Sequence, residues 1–570
     1  MRRLCAAAAA VTTVLCLTAV VEAQVEREVY PPVSGESRRW HREEGEPGIR
    51  ARITVKGIKY LKNILLRILK KEIKHIKNIN IETNVTDGRQ KGKLEIHNLT
   101  MTGFDSPKFS AVNLRPPRSV VLGAEDFGLS MKGRWTGHDP PFSLSGSMDG
   151  RVGGVTLVIT IDLYRKPGGG LKITVPSCKT NIPTTELNLR PDVGPFAKYL
   201  ENYRPFIDKQ MYEELPGMTC RVLKYALEWA GDSVLDEFTE INLGDVVPQN
   251  PNIPDASIAD EMIRRLTNGL IFNTRLVGQP IVTTNYIEIR IAGEFKYNTS
   301  SPTPFFPPRI GELEEEDRML YVASTDYPLN TLVYHAYQQG RLQVTLRQDS
   351  VPRSFRNVFK TTCGKAGQQV RASGGRNQNI CVGSLVPSIS IAYPNTVTEI
   401  TLLPHGIPIA TLADDRGKID GRARFIIYDT RSGRRTQLMV VGAELSADIK
   451  PSENLRGARL RGDFKLNKLK MDVWRSAVPN VNPKNVQQLS PVAKTMLVPE
   501  VNKALKGGMP LPLGEYVEYQ NPEIRIVEGL LQIGADLDVD INKAEDEIRD
   551  AIDKGLKEAA EATLSSKKRR

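Results

Sequence analysis

The stretch Tyr297–Pro308, YNTSSPTPFFPP, decides how this chain divides. Pro302, Pro304, Pro307 and Pro308 can donate no ladder hydrogen bonds, so the segment reads as an extended connector on the surface. The acidic patch Glu312–Asp317 follows it. On either side the patterns repeat. The first half carries a helical pattern over Lys56–Lys77, a long run of alternating strands and a second helical pattern over Gly194–Phe238. The second half has a short helical pattern over Asn330–Gln339, more strands and a late helix over Val486–Lys506. A repeated order of helix, antiparallel sheet and helix predicts an α+β protein of two similar domains facing each other across a hinge. The length of 570 residues also exceeds one core, and two domains of about 200 residues are the natural division.

Arg2 and Arg3 precede an apolar run, Leu4–Val21, and Ala23 has Val21 two positions before it. This is the pattern of a secretory signal peptide, cut after Ala23. A retained anchor is the alternative, because the run is slightly long for a signal core. The mature chain keeps Cys178, Cys220, Cys363 and Cys381, and an even count in a secreted chain points to disulfides. Nearest-neighbour pairing puts one bridge in each half. On chain-entropy grounds the first would stabilise by about 4 kcal/mol and the second by about 3. Asn84, Asn98 and Asn298 head glycosylation sequons.

The formal charge of +12 is local. Arg50–Lys77 carries ten Lys or Arg against Glu72 alone, which argues against a nucleic-acid groove spread over the fold. On a helical wheel Ile58, Leu61, Ile64, Leu65, Ile68, Leu69, Ile73 and Ile76 fill one side. Lys56, Lys59, Lys62, Arg67, Lys70, Lys71, Lys74 and Lys77 fill the other. Such a helix packs its stripe on a sheet and solvates its lysines; it also suits an anionic lipid surface, and the two roles are compatible.

Between the helices the period is two. Val155–Leu163 and Leu171–Val175 flank the turn Lys166–Gly170 as a hairpin, and Asp429–Arg434 turns another. Gly133 and Gly137, with Pro140 and Pro141, break a further pair of strands. Phe464 and Leu466, then Leu469, Met471 and Val473, slip by one residue, as a bulge would make them. Gly507 and Gly508 cap the late helix, Leu530–Val539 closes the fold, and Ile541–Leu564 is a last amphipathic helix before the basic tail.

Nothing in the sequence signals catalysis. There is no GxSxG, HExxH, GxxxxGK[ST] or GxGxxG, and His41, His75, His97, His138, His335 and His405 never fall at metal-ligand spacing. No catalytic residue, metal ligand or cofactor is assigned.

Several stretches resemble the family of bactericidal/permeability-increasing protein, lipopolysaccharide-binding protein and the plasma phospholipid and cholesteryl ester transfer proteins. They are Pro47–Gly48, Arg52–Ile53 and Lys56–Tyr60; Gly133–Trp135; Cys178 with Cys220; Gly293–Tyr297, Asp317–Tyr321, Ser324–Tyr327 and Asn330–Thr331; and Asn502, Leu505, Gly508, Pro510–Pro512 and Gly534–Asp536. The resemblance implies a boomerang of two barrels, each a twisted antiparallel sheet wrapped on a long helix, joined by a central sheet, with an apolar lipid pocket in each half. The chain then divides into a signal peptide (1–23), an N-terminal arm (24–47), an N-terminal lipid-binding barrel (48–296), the connector (297–317), a C-terminal lipid-binding barrel (318–540) and an amphipathic helix with a basic tail (541–570).

The function expected is that of a secreted lipid-binding or lipid-transfer protein, not an enzyme, with bound phospholipid as ligand. The alternative is recognition of lipopolysaccharide or anionic microbial membranes through the basic N-terminal domain. Ile58, Leu61, Leu65, Ile68 and Leu69 are the candidate pocket residues. Lys59, Lys70, Lys74, Arg89, Lys91, Lys93, Lys132 and Arg134 are the candidates for an anionic headgroup. The loop Thr136–Pro141 has an acid and no lysine, unlike the lysine-rich loop of the endotoxin binders, so it departs from their pattern. Nucleic acid is not an expected partner. The terminal helix is either a solvated extension or a lid over a tunnel mouth.

Overall fold

The computed structural model describes residues 45–542, apart from 73–78, 88–89, 140–141, 193–215, 218, 222, 226, 229–238, 247–257, 314–316, 352, 364–379, 414, 432, 454, 456–458, 512–516 and 528. The expected signal peptide, nearly all of the arm, the end of the basic helix, most of Gly194–Phe238 and the terminal helix beyond Asn542 lie outside the described residues.

Strand β1 (Ile49–Thr54) runs directly into helix α1 (Val55–Glu72). Seven strands follow: β2 (Ile79–Asp87), β3 (Gln90–Asp105), β4 (Phe109–Arg115), β5 (Ser119–Asp139), β6 (Phe142–Arg165), β7 (Leu171–Asn181) and β8 (Thr184–Pro191). They form one antiparallel sheet in the order β2-β3-β5-β6-β7, with β4 on β5 and β8 on β6. Its inner face follows from the alternation: Met131, Trp135, Met148 and Val152 are buried while Lys132, Arg134 and Ser147 between them are exposed. The expected turn closes β6 on β7 with Arg165 facing Leu171. Gly133 and Gly137 do not break a strand, because β5 runs unbroken through both. A side chain at Gly133 would stand 3.2 Å from the His97 carbonyl of β3, so this glycine serves a close approach between strands.

Five short strands lead to the connector: β9 (Glu240–Asn242), β10 (Leu270–Asn273), β11 (Ile281–Val282), β12 (Tyr286–Ile291) and β13 (Glu294–Tyr297), with helix α2 (Ile258–Thr267) after the first. The second half opens with β14 (Leu320–Thr325) and helix α3 (Tyr327–Gln338). It continues through β15 (Val344–Leu346), β16 (Thr398–Pro404), β17 (Ile409–Ala413), β18 (Arg416–Asp429), β19 (Thr436–Pro451), β20 (Arg459–Leu460) and β21 (Gly462–Ser476). Helix α4 (Leu489–Gly507), β22 (Met509–Pro510), β23 (Val517–Val527) and β24 (Leu530–Val539) complete it. A second antiparallel sheet has the order β15-β16-β18-β19-β21, with β17 on β18. The predicted hairpin and bulge are both present, since Ser446 pairs with Lys468 and Ala447 with Leu466, leaving Asn467 as the extra residue. Cys178–Cys220 and Cys363–Cys381 are bonded as nearest neighbours.

A sheet in the order β11-β12-β1-β14-β24-β23 joins the halves. On β1 the buried positions are the charged ones. Arg50 and Arg52, counted above among the local basic charges, are buried, and both meet Glu288 of β12, which is only 2 % exposed. Arg290 reaches the same carboxylate at 3.0 Å. Arg52 also lies over the Tyr286 ring at 4.2 Å.

Arg50 fixes the connector as well. Its Nη1 and Nη2 donate to the carbonyls of Gly311 and Ile310 at 3.0 Å each. The connector is extended as expected but is no surface strap, because Phe305, Pro307, Ile310 and Leu313 are buried. The Phe305 ring stands edge-on to Tyr327 and Tyr334, 5.7 Å from each. The Thr303 hydroxyl gives its one proton to Glu294 and therefore accepts from His335 Nε2 at 2.8 Å. Burial holds the His335 imidazole below its ordinary value, with Glu294 and Lys296 acting on it in opposite, smaller senses.

Replacing Glu288 by Gln leaves buried guanidinium charge uncompensated and should cost about 3–5 kcal/mol in urea unfolding. Acid acts on a second site. Below about pH 6.5 an unfolded chain binds the His335 proton before the folded protein does, so stability should fall as pH drops from about 7 to 5. His335→Gln should flatten that slope in thermal unfolding at the two pH values.

Candidate lipid-binding site

Helix α1 is positioned at three points. At its start Lys56 Nζ reaches the Asp317 carbonyl at 2.8 Å and the Asp536 carboxylate at 3.1 Å. One turn on, the Tyr60 hydroxyl donates to Asp538 at 3.3 Å and accepts the Val539 N–H at 3.0 Å. Lys62 then donates to the carbonyl and hydroxyl of Ser110 on β4, at 3.1 and 2.8 Å. Two lysines assigned to a solvated face are thus tethers.

The apolar stripe splits. Ile64 and Ile68 are buried, and Ile58 packs half-buried, together with Val55, Leu223 and Leu227, against a cluster that includes Val112, Ile159 and Ile161 of the sheet. Leu61 and Leu65, one turn apart, are 37 % and 49 % exposed. The Leu69 side chain lies outside the described residues. Alongside, Lys59, Arg67 and Lys70 are exposed and form no hydrogen bond or ion pair among the described residues. An open pair of leucines bordered by unneutralised cations suits a molecule with an apolar body and an anionic end.

The other headgroup candidates are placed differently. Lys74 and Arg89 lie outside the described residues, and Lys91 is on β3 with its side chain not described. Lys93 is bonded to Glu95, whose carboxyl that hydrogen bond holds below the usual range, and His97 stands 3.3 Å from the same group. Lys132 faces Asp149 at 3.7 Å, which also meets Arg190 at 3.3 Å. Arg134 meets Asp192 at 2.6 Å, and Ser145 donates to that carboxylate at 3.0 Å. The outer face of β3, β5, β6 and β8 is therefore a lattice of matched charges. Asp149 was legible in principle: folding the chain about Pro140 and Pro141 sets Lys132 opposite Asp149. Of the sequon asparagines, Asn98 and Asn298 are exposed, and Asn84 lies on β2 with its side chain not described. Among the described residues no group of three or more His, Cys, Asp or Glu is placed to hold a metal.

With this geometry in view, residues 57–233 match the N-terminal domain of the LBP / BPI / CETP family and residues 265–539 match its C-terminal domain. The chain belongs to that family. Members of the LBP / BPI / CETP family bind or transfer lipids and are not enzymes. Human lipopolysaccharide-binding protein is 23% identical over 506 residues, spanning 86% of this chain and 93% of its own. Human phospholipid transfer protein is 23% identical over 510 residues, spanning 86% and 90%. The bactericidal permeability-increasing protein of Sebastes schlegelii is 22% identical over 503 residues, spanning 86% and 95%. A crystal structure of lipopolysaccharide binding protein aligns with 87% of this chain and 99% of that one, at 18% identity and a TM-score of 0.44. The two-domain order is that of the LBP / BPI / CETP family.

If Leu61 and Leu65 are held open, polar replacement should be tolerated. Leu61→Ser and Leu65→Ser should each change stability by about 0.5 kcal/mol or less, whereas Ile68→Ala should cost about 2–5 kcal/mol, all read from urea unfolding.

Proposed function

We propose that this protein is a secreted lipid carrier that takes phospholipid acyl chains into apolar pockets, one in each barrel. The observation that carries the reading is the uncovered pair Leu61 and Leu65 on a stripe whose Ile64 and Ile68 are buried, beside the unneutralised Lys59, Arg67 and Lys70. Burying an acyl chain of about 16 carbons is worth on the order of 13 kcal/mol at about 0.8 kcal/mol per methylene. Each lysine near an anionic surface adds about 1 kcal/mol. Apolar burial therefore sets affinity, and the helix cations set encounter and headgroup preference. The N-terminal apolar run and the two disulfides support an extracellular setting.

Recognition of lipopolysaccharide through the outer face of the N-terminal barrel is the less supported reading. Its phosphates would have to displace Asp149 from Lys132 and Asp192 from Arg134. Phospholipid on α1 meets no such competitor among the described residues.

Native mass spectrometry with organic extraction of the purified protein tests the proposal. One or two phospholipids per chain are expected, with loss of at least one in Leu61→Glu/Leu65→Glu. A folded, monodisperse protein without extractable lipid, and with endotoxin binding confined to the N-terminal half, would overturn it.

A further inference from the structure

A second surface, on the C-terminal barrel, is independent of the lipid reading. On β21 and β19, Val440 pairs with Arg475 and Val441 with Val473, so Trp474 is the extra residue of a bulge. Bulges re-aim side chains, and this one turns the indole onto the outer face of the sheet. There it lies over Gly442: a side chain at that position would fall 1.9 Å from Cε2 and 2.0 Å from Nε1 of the ring. The His405 ring meets it edge-on at 4.7 Å, and Trp474 stays 47 % exposed. A large aromatic left half in water on a cleared strand is a surface prepared for another ring.

Its neighbours are polar. In the ladder Gly442 stands opposite Arg424 on one side and Asp472 on the other, and Glu444 stands opposite Arg422 next along; Lys468 meets Glu444 at 3.2 Å and Lys470 meets Asp472 at 3.5 Å. Arg424 is unusual among them. Its Nε is enclosed without a hydrogen-bond partner, and among the described residues its side chain forms no ion pair. Arg475, beside the indole in sequence, is exposed and likewise forms none. Two guanidinium groups without an ion pair among the described residues thus belong to the positions around the indole, Arg424 opposite Gly442 in the ladder and Arg475 next to Trp474 in the chain. A hydroxylated ring with an anionic substituent finds complements on such a face for each of its parts.

We propose that Trp474, His405, Arg424 and Arg475 form a binding platform for an acidic sugar, a pyranose carrying a carboxylate or sulfate. The ring stacks on the free face of the indole, its anionic group lies against Arg424 and Arg475, and its hydroxyls meet Glu444, Asp472 and His405.

The test is calorimetric titration of the full chain with a sulfated, uronate-containing hexasaccharide and with its uncharged counterpart. The charged sugar should bind and the uncharged one bind weakly. Trp474→Ala and Arg424→Gln should each weaken binding about tenfold or more, the scale of one stacked ring or one charge-assisted contact. Gly442→Ala, which pushes the indole off its seat, should do the same, while Trp474→Phe should retain most of the affinity. Lys59→Gln/Arg67→Gln/Lys70→Gln in α1 should leave it unchanged. In the unsubstituted protein, the indole N–H resonance that is missing from Trp474→Phe should shift on addition of the sugar, a readout that needs no destabilised variant. Binding that follows the α1 variant, an unshifted indole resonance, or a Trp474→Ala defect confined to anionic vesicles would overturn the proposal.

Discussion

One carboxylate organises the joint between the halves. Glu288 lies inside the central sheet and receives Arg50, Arg52 and Arg290. Removing these charges from water is costly, and only close pairing with supplementary hydrogen bonds offsets that cost. The supplements come from elsewhere: the Ile310 and Gly311 carbonyls complete Arg50, and the Tyr286 ring covers Arg52. Because Arg50 belongs to the first described strand and its acceptors to the connector, the cluster fixes both halves against one sheet. β1 lies between β12 and β14, so the same strand that bears the arginines carries the ladder between the halves.

What was legible in the sequence was local. The hairpin at Lys166–Gly170, the one at Asp429–Arg434 and the bulge at Asn467 follow from a period of two interrupted by turn residues, and each involves neighbours in the chain. The cysteine pairs were legible for the same reason. Arg50 and Arg52 were not, because alternation alone assigns charge to water and their partner stands 236 residues from Arg52. Burial of the connector depended on Phe305 finding Tyr327 and Tyr334, a tertiary event that proline content does not signal.

The candidate site was half legible. The wheel identified the stripe and the cations of α1 but could not tell Leu65 from Ile68, since both are apolar and only packing separates an open leucine from a covered isoleucine. Nor did net charge distinguish the free Lys70 from Lys132, held against Asp149. In this chain a basic sequence segment is therefore an incomplete guide to an anion-binding surface. The register of the opposing strand decides how much of its charge remains available.

Tyr60 is bonded to Asp538 and Val539, 478 and 479 residues further on. During synthesis the helix that would hold lipid emerges early, and its anchor is made almost last. Until β24 leaves the ribosome, the first half has its sheet and the Lys62 contact to Ser110 but lacks the Tyr60 tether to the last strand. The last strand of the fold thus completes the seating of its first helix, and a chain stopped short of β24 loses a fixed point of the candidate site in its opposite half.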